Sequence, residues 1–332
     1  MKVAIRLAWL LFVVLCIIAG IFYYDPIWVN DQFIGYKLWR HGVHSKTIPV
    51  DGRRIHYFEA APSDGSPGTP LVLIHGLGDR AESWAAQIPT LAAAGFHVYV
   101  PDLLGYGRSD KPDITYSIPI EVFAMYDFMH AVGLQHADVA GWSMGGWVAA
   151  ELTLGHPNAV DRLVLEDSAG IRFNAQFPRN LFTPTDEAGL RQLQEWLSPR
   201  PIQMPHYVAK DAIRRLQNQA HIVQGSMDSM ETGKDLLDNR LTAIQQPTLI
   251  VWGEADRLLP ISTGEEMHRE IPNSILATIT GCGHLAPREC ARPVLDATIP
   301  FLKANPPMPR GEETLPGTTS PTPKNLPEPP AH

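Results

Sequence analysis

Apolar residues are distributed along the chain in three distinct regimes. The first is an uncharged run from Leu7 to Tyr24, LAWLLFVVLCIIAGIFYY, preceded by Lys2 and Arg6. A helix that crosses a bilayer needs about 20 apolar residues, with a range of roughly 17 to 25, so this run predicts one span within residues 1–25. A cleaved signal peptide is the competing reading. It requires a small-x-small site, and Ala19-Gly20, with Ile17 or Ile18 two residues before, supplies a poor one. Lys2 and Arg6 before the run are nearly balanced by Lys37 and Arg40 after it; the weak bias favours a cytoplasmic N-terminus and an extracytoplasmic domain. In residues 26–46, Ile27, Ile34 and Leu38 fall on one side of a helix, with Trp28 and Trp39 beside them. This suits either a segment at the membrane interface or a short helix packed on the domain.

From Thr47 the pattern becomes one of short apolar runs. Thr47–Val50 and Arg54–Ala60 flank the turn signal Asp51-Gly52, and Leu71–Ile74, Val98–Val100, Asp138–Ala140, Leu163–Leu165, Leu249–Trp252 and Ile275–Ile279 follow. Eight such runs, most separated by helical stretches, predict an α/β fold. Its expected form is a mostly parallel eight-stranded sheet covered by helices on both faces. The alternation lapses between Asp167 and Thr248, where helical pieces such as Glu187–Leu197 and Val208–Gln219 appear instead. The expected organisation is therefore a core in two parts, residues 47–169 and 246–304, with a helical cap inserted at 170–245. Nine prolines among residues 306–332 point to a disordered tail beginning near 305.

Composition changes this picture little. Of 332 residues, 45% are hydrophobic and 19% charged, which is ordinary for a globular chain. The net charge of −8, without a basic stripe, argues against nucleic acid as a partner. Cys16, Cys282 and Cys290 show no C-x-x-C spacing, which leaves zinc and thioredoxin-type chemistry unsupported. Cys282 and Cys290 are spaced closely enough to pair in an oxidising compartment; the simpler expectation is two unpaired, small apolar side chains.

The chemistry concentrates at the ends of the apolar runs. Gly141-Trp142-Ser143-Met144-Gly145 is a G-x-S-x-G motif, which about one chain in ten of this length carries by chance. Here a strand candidate precedes it and a helix candidate, Gly146–Leu154, follows. That is the context in which a nucleophilic serine occupies a strained strand-to-helix turn and side chains at 141 and 145 would clash. The run Leu71–Ile74 ends in His75-Gly76-Leu77-Gly78, so the backbone N–H groups of Leu77 and Met144 are the candidate oxyanion hole. His75 itself fits loop shaping better than proton transfer. Asp256, in Gly253-Glu254-Ala255-Asp256, and His284, in Gly281-Cys282-Gly283-His284, each follow an apolar run, which completes the order serine, acid, histidine. Glu254 and Asp167 are alternative acids.

Together with Asp102-Leu103-Leu104-Gly105-Tyr106-Gly107-Arg108-Ser109, these five motifs occur in an order that resembles the α/β-hydrolase superfamily across residues 47–304. The N-terminal span, the GWSMGG elbow, Asp167-Ser168-Ala169-Gly170 and VWGEADRLLP are similar to the membrane-anchored monoacylglycerol lipase-like branch. Ring-cleavage hydrolases and general esterases share most of these motifs. Serine at 143, where related dehalogenases and epoxide hydrolases carry aspartate, implies acyl transfer needing no metal or organic cofactor. The cap's Phe173, Phe177, Leu181, Phe182, Trp196, Met204, Tyr207, Met227 and Met230 suit a small-molecule ester or lipid substrate, or form the cap's own core. The expected activity is carboxylic ester hydrolysis, of monoacylglycerol type. The rivals are carbon–carbon bond hydrolysis with the same triad and a catalytically silent fold used as a receptor or scaffold.

Overall fold

The computed structural model describes residues 2–317. Helix α1 (Lys2–Tyr24) contains the apolar run, and Ile5–Tyr24 is long and apolar enough to cross a membrane, with none of its residues buried in the protein. After Asp25 the chain enters α2 (Pro26–Arg40), whose proline in the first turn costs no hydrogen bond because N–H groups there lack intrahelical partners. Leu38 is buried and Ile34 packs on the core, whereas Trp28, Phe33, Tyr36 and Trp39 on the remaining surface are exposed. One face of α2 thus packs on the domain and the other stays apolar toward the outside.

The chain then alternates as the pattern predicts. β1 (Val43–Val50) and β2 (Arg53–Ala60) form a hairpin, followed by β3 (Thr69–Ile74), α3 (Ile88–Ala93) and β4 (Phe96–Pro101). Next come α4 (Ile118–Ala131), β5 (Ala137–Trp142), α5 (Met144–Gly155) and β6 (Val160–Glu166). Three helices, α6 (Glu187–Leu197), α7 (His206–Asn218) and α8 (Ala220–Glu231), fill the interval before β7 (Thr248–Gly253). The chain closes with α9 (Ile261–Glu270), β8 (Ser274–Ile279), α10 (Ala286–Glu289), α11 (Ala291–Lys303) and β9 (Gly311–Leu315).

The strand order is β1-β2-β4-β3-β5-β6-β7-β8-β9, antiparallel across β1–β2–β4 and parallel from β4 onward. Alternate residues of the central strands enter separate cores. Val72, Ile74, Val139, Leu165 and Ile250 pack on one side of the sheet, and Leu71, Leu73, Val164, Leu249 and Val251 on the other. Burial on both faces is why these strands read as continuous apolar runs. The order reverses between β3 and β5, which places a crevice outside the carboxyl ends of adjacent strands.

Two expectations are corrected. The sheet has nine strands, because Gly311–Leu315, within the stretch expected to be disordered, pairs in parallel with β8. Its Gly-Glu-Glu-Thr-Leu carries little apolar signal since an edge strand is held by backbone hydrogen bonds; the remainder of that stretch, 318–332, lies outside the described residues. Cys282 and Cys290 are joined as a disulfide, not left unpaired. The short helix α10 after the histidine loop brings their Cα atoms to 6.3 Å, inside the range a disulfide spans.

Candidate active site

Ser143 stands between β5 and α5 at φ 56°, ψ −122°, a conformation that non-glycine residues rarely adopt. Neighbouring backbone enforces it. A Cβ on Gly141 would come within 2.2 Å of the Gly145 carbonyl oxygen, and one on Gly145 within 2.3 Å of that of Ile74. From the β6 side, the Ser143 N–H donates to the Glu166 carbonyl at 3.0 Å, and Ala169 N–H donates to the Ser143 carbonyl at 3.1 Å. The side chain is thereby presented beyond the sheet edge at the positive end of the α5 dipole.

The loops after β7 and β8 bring Asp256 and His284 to it. His284 Nε2 lies 2.9 Å from Ser143 Oγ, and His284 Nδ1 lies 2.8 Å from Asp256 Oδ2. The other carboxylate oxygen, Oδ1, accepts the N–H groups of Leu258 and Leu259 at 2.8 and 2.9 Å. With a carboxylate facing Nδ1, the ring proton resides there and Nε2 is left to accept from the serine hydroxyl. Both residues are buried, while Ser143 keeps partial access. Glu254, the alternative acid, is exposed.

Asp167, the other alternative, is fully buried at φ 41°, and its Oδ1 accepts the N–H of Gly253 at 2.7 Å. Burial, reinforced by the charge of Asp256, pushes its carboxyl well above the ordinary carboxylate range. Its geometry makes it a brace between the ends of β6 and β7.

The turn after β3 lies directly against the serine. A Cβ on Gly76 would stand 3.0 Å from that of Ser143, and Leu77 and Met144 line one cavity with it. His75 is internal to this turn. Its Nε2 accepts from Leu103 N–H and its Nδ1 contacts the Gly76 carbonyl, both at 2.9 Å, tying the turn to the Asp102–Ser109 segment. This agrees with a loop-shaping role.

Ser143 and Leu77 face two cavities. One, of about 330 Å³, is lined by Trp147, Phe173, Phe177, Phe182, Met227 and Met230 among others. The second, of about 270 Å³, runs past His284 toward Leu193, Leu197, Ile202 and Met204. Of the remaining cap residues singled out from sequence, Leu181 is buried core, Trp196 packs against Phe177, and Tyr207 stacks on Tyr23 of α1.

Sequence reasoning missed several supports. The Trp142 indole N–H donates to the His284 carbonyl at 2.7 Å, so the variable position of the elbow motif holds the histidine loop. Asp79 accepts from Arg288 at 2.6 Å on both carboxylate oxygens, linking the turn after β3 to the helix after His284. Partners 142 and 209 positions apart leave no periodic or local signal; only the fold juxtaposes them.

Comparison with known proteins agrees with this architecture. The family model described as alpha/beta hydrolase fold matches residues 69–288, well over half the chain. A 2-hydroxy-6-oxononadienedioate/2-hydroxy-6-oxononatrienedioate hydrolase of Pseudomonas putida is 29% identical over 276 residues, covering 75% of this chain and 92% of its own. Lipase 3 of a Moraxella species is 28% identical over 270 residues, covering 77% and 84%. Among solved structures, a bacterial membrane phospholipase A superposes with a TM-score of 0.76 at 25% identity, covering 91% of this chain and 98% of its own. With the elbow, the strand order and the family match in agreement, the chain belongs to the alpha/beta hydrolase fold family.

Proposed function

We propose that the protein is a serine hydrolase cleaving carboxylic esters, of lipid type such as monoacylglycerol, with Ser143 as nucleophile, His284 as general base and Asp256 holding the histidine. One observation carries this reading: a serine hydroxyl hydrogen-bonded to a buried, aspartate-held histidine opens onto an apolar cavity. Ser143 Oγ attacks the ester carbonyl as its proton passes to His284 Nε2, and the imidazolium then protonates the departing alcohol. The N–H groups of Leu77 and Met144 stabilise the oxyanion, and water, deprotonated by His284, releases the acid. Lipid character is supported by the aromatic and methionine lining and by α1, read here as a membrane anchor with the domain on the extracytoplasmic side. The Cys282–Cys290 disulfide supports an oxidising compartment. Resistance of the full-length chain to carbonate extraction tests the anchor; recovery of a soluble form beginning after residue 19 or 20 would identify a signal peptide instead.

A second reading, hydrolysis of a carbon–carbon bond in a vinylogous diketone, is favoured by the 2-hydroxy-6-oxononadienedioate/2-hydroxy-6-oxononatrienedioate hydrolase relative and by the likeness to a solved meta-cleavage product hydrolase. Turnover of an ester panel of increasing acyl length, beside a dienoate ring-cleavage product, separates the two. A kcat/KM that rises with chain length and no consumption of the dienoate are expected; the reverse would overturn the ester reading. Absence of labelling by a fluorophosphonate probe would instead favour the silent scaffold.

A further inference from the structure

Residues 76–80 connect by ion pairs to α2 and to the segment that follows His284. The Asp79 carboxylate receives Arg288 Nη2 at 2.6 Å and also accepts the backbone N–H of Arg80 at 2.9 Å. Arg288 lies four residues beyond His284, on α10 and inside the loop closed by the disulfide. Arg80 turns the other way and donates through Nη2 to Asp31 of α2 at 2.6 Å. The Asp31 carboxylate also faces Arg215 of α7 at 3.7 Å, and Arg215 donates to Asp25, the junction of α1 and α2, at 2.6 Å. The start of α2 is held on the same cap helix, where Asp211 accepts the Ile27 N–H at 3.0 Å.

These contacts form one continuous chain from the end of the apolar helix to the turn beside Ser143. Two properties set it apart from ordinary surface ion pairs, which contribute little. The carboxylates are largely buried, Asp31 and Asp79 having side chains only 13% and 15% exposed, while Arg288 reaches Asp79 from the surface. Both pairs also insert into a backbone turn whose amide must be aimed accurately, since removing one oxyanion donor costs about 10²- to 10³-fold in kcat.

We propose that α2 is part of the oxyanion apparatus. The Asp31–Arg80 pair fixes the far end of the turn, Asp79–Arg288 ties it to the histidine segment, and the seating of the juxtamembrane helix is thereby transmitted to the Leu77 amide. Asp31, Asp79, Arg80 and Arg288 are positioning residues; Asp79 and Arg288 also border the second cavity beside Ser143, so KM is read alongside kcat to separate positioning from substrate contact. The inference rests on Ser143 being the nucleophile, and that premise is checked separately by loss of fluorophosphonate labelling in Ser143→Ala.

The test uses the full-length chain in detergent micelles and p-nitrophenyl butyrate, a substrate too short to report on lipid delivery. Active sites are counted by fluorophosphonate titration, so that kcat is expressed per competent site. Asp79→Asn and Arg288→Met are each expected to lower kcat per site by roughly tenfold with KM changed by less than about twofold, the mark of an interaction made in the transition state. The double variant should be no worse than either single one, because the pair acts as a unit. Arg288→Lys should restore much of the loss. Asp31→Asn, which leaves both catalytic loops untouched, should lower kcat per site in the same sense by a few-fold. If Asp31→Asn has wild-type kcat per site, the link to α2 is refuted. If Asp79→Asn and Arg288→Met lower only the number of labelled sites or Tm, the residues are structural and the proposal fails.

Discussion

Ser143 carries a backbone strain of order 1–3 kcal/mol by virtue of its positive φ, and the two flanking glycines exist to let neighbouring carbonyls close in on it. The arrangement is legible in sequence because each of these residues acts on its immediate neighbours. Asp256 and His284 are legible for a related reason, since each ends an apolar run. The tryptophan, aspartate and arginine that hold those loops are not, because their partners lie on other elements. The roles proposed for the triad make definite demands. Ser143→Ala and His284→Ala should each reduce kcat by several orders of magnitude with Tm nearly unchanged, and the double variant should be hardly worse. Asp256→Asn should cost about 10⁴-fold, the magnitude known for loss of the correct histidine tautomer in serine proteases. A mild Asp256→Asn beside a damaging Glu254→Gln would move the acid to position 254.

Among the elements, central strands announce themselves by unbroken apolar runs, and α6 by an amphipathic pattern whose N-cap, Asp186, accepts the Gly189 N–H at 2.8 Å. β9 does not, because at a sheet edge its polar side chains face outward while its backbone alone does the pairing. Helix α4 conceals another feature, a glutamate within an apolar face. Glu121 Oε2 accepts the Leu104 N–H at 3.0 Å, while Oε1 has no partner among the described residues. Burial raises its carboxyl from 4.5 to about 8. The folded state therefore keeps a proton that the unfolded chain releases, and stability falls as pH rises from about 4.5 to about 8. Glu166, buried and likewise raised to about 8, adds to the same slope. Glu121→Gln preserves an acceptor for Leu104 but cannot ionise. Thermal denaturation should show it matching the wild type near pH 4.5 and exceeding it increasingly toward pH 8. A gain independent of pH would mean that Glu121 is ionised in the folded protein.

At the scale of the whole molecule, the apolar helix, the outward aromatics of α2 and the cap lie along one continuous path. Tyr23 of α1 stacks on Tyr207 of α7 at 5.8 Å, and Asp25 at the next turn receives both Arg214 and Arg215. The cap is thus fastened to the part of the chain proposed to meet lipid. The disulfide contributes something different, which is order in time. Cys282 and Cys290 enclose His284 and Arg288, and both sulfurs are buried. Closing so small a ring constrains the unfolded chain by about 2–3 kcal/mol, and the histidine loop has no other covalent tie. A newly made chain in a reducing cytosol lacks that ring, so its histidine loop is held by non-covalent contacts alone, among them the Asp79–Arg288 pair. Under the extracytoplasmic placement proposed above, the ring closes only after export, so the histidine loop is completed on the far side of the membrane. Cys282→Ser/Cys290→Ser, and wild-type chain synthesised under reducing conditions, should both show a several-fold lower kcat per chain, and oxidation should restore only the wild type. Equal turnover of the reduced, oxidised and serine-substituted proteins would show that the ring has no part in switching the enzyme on.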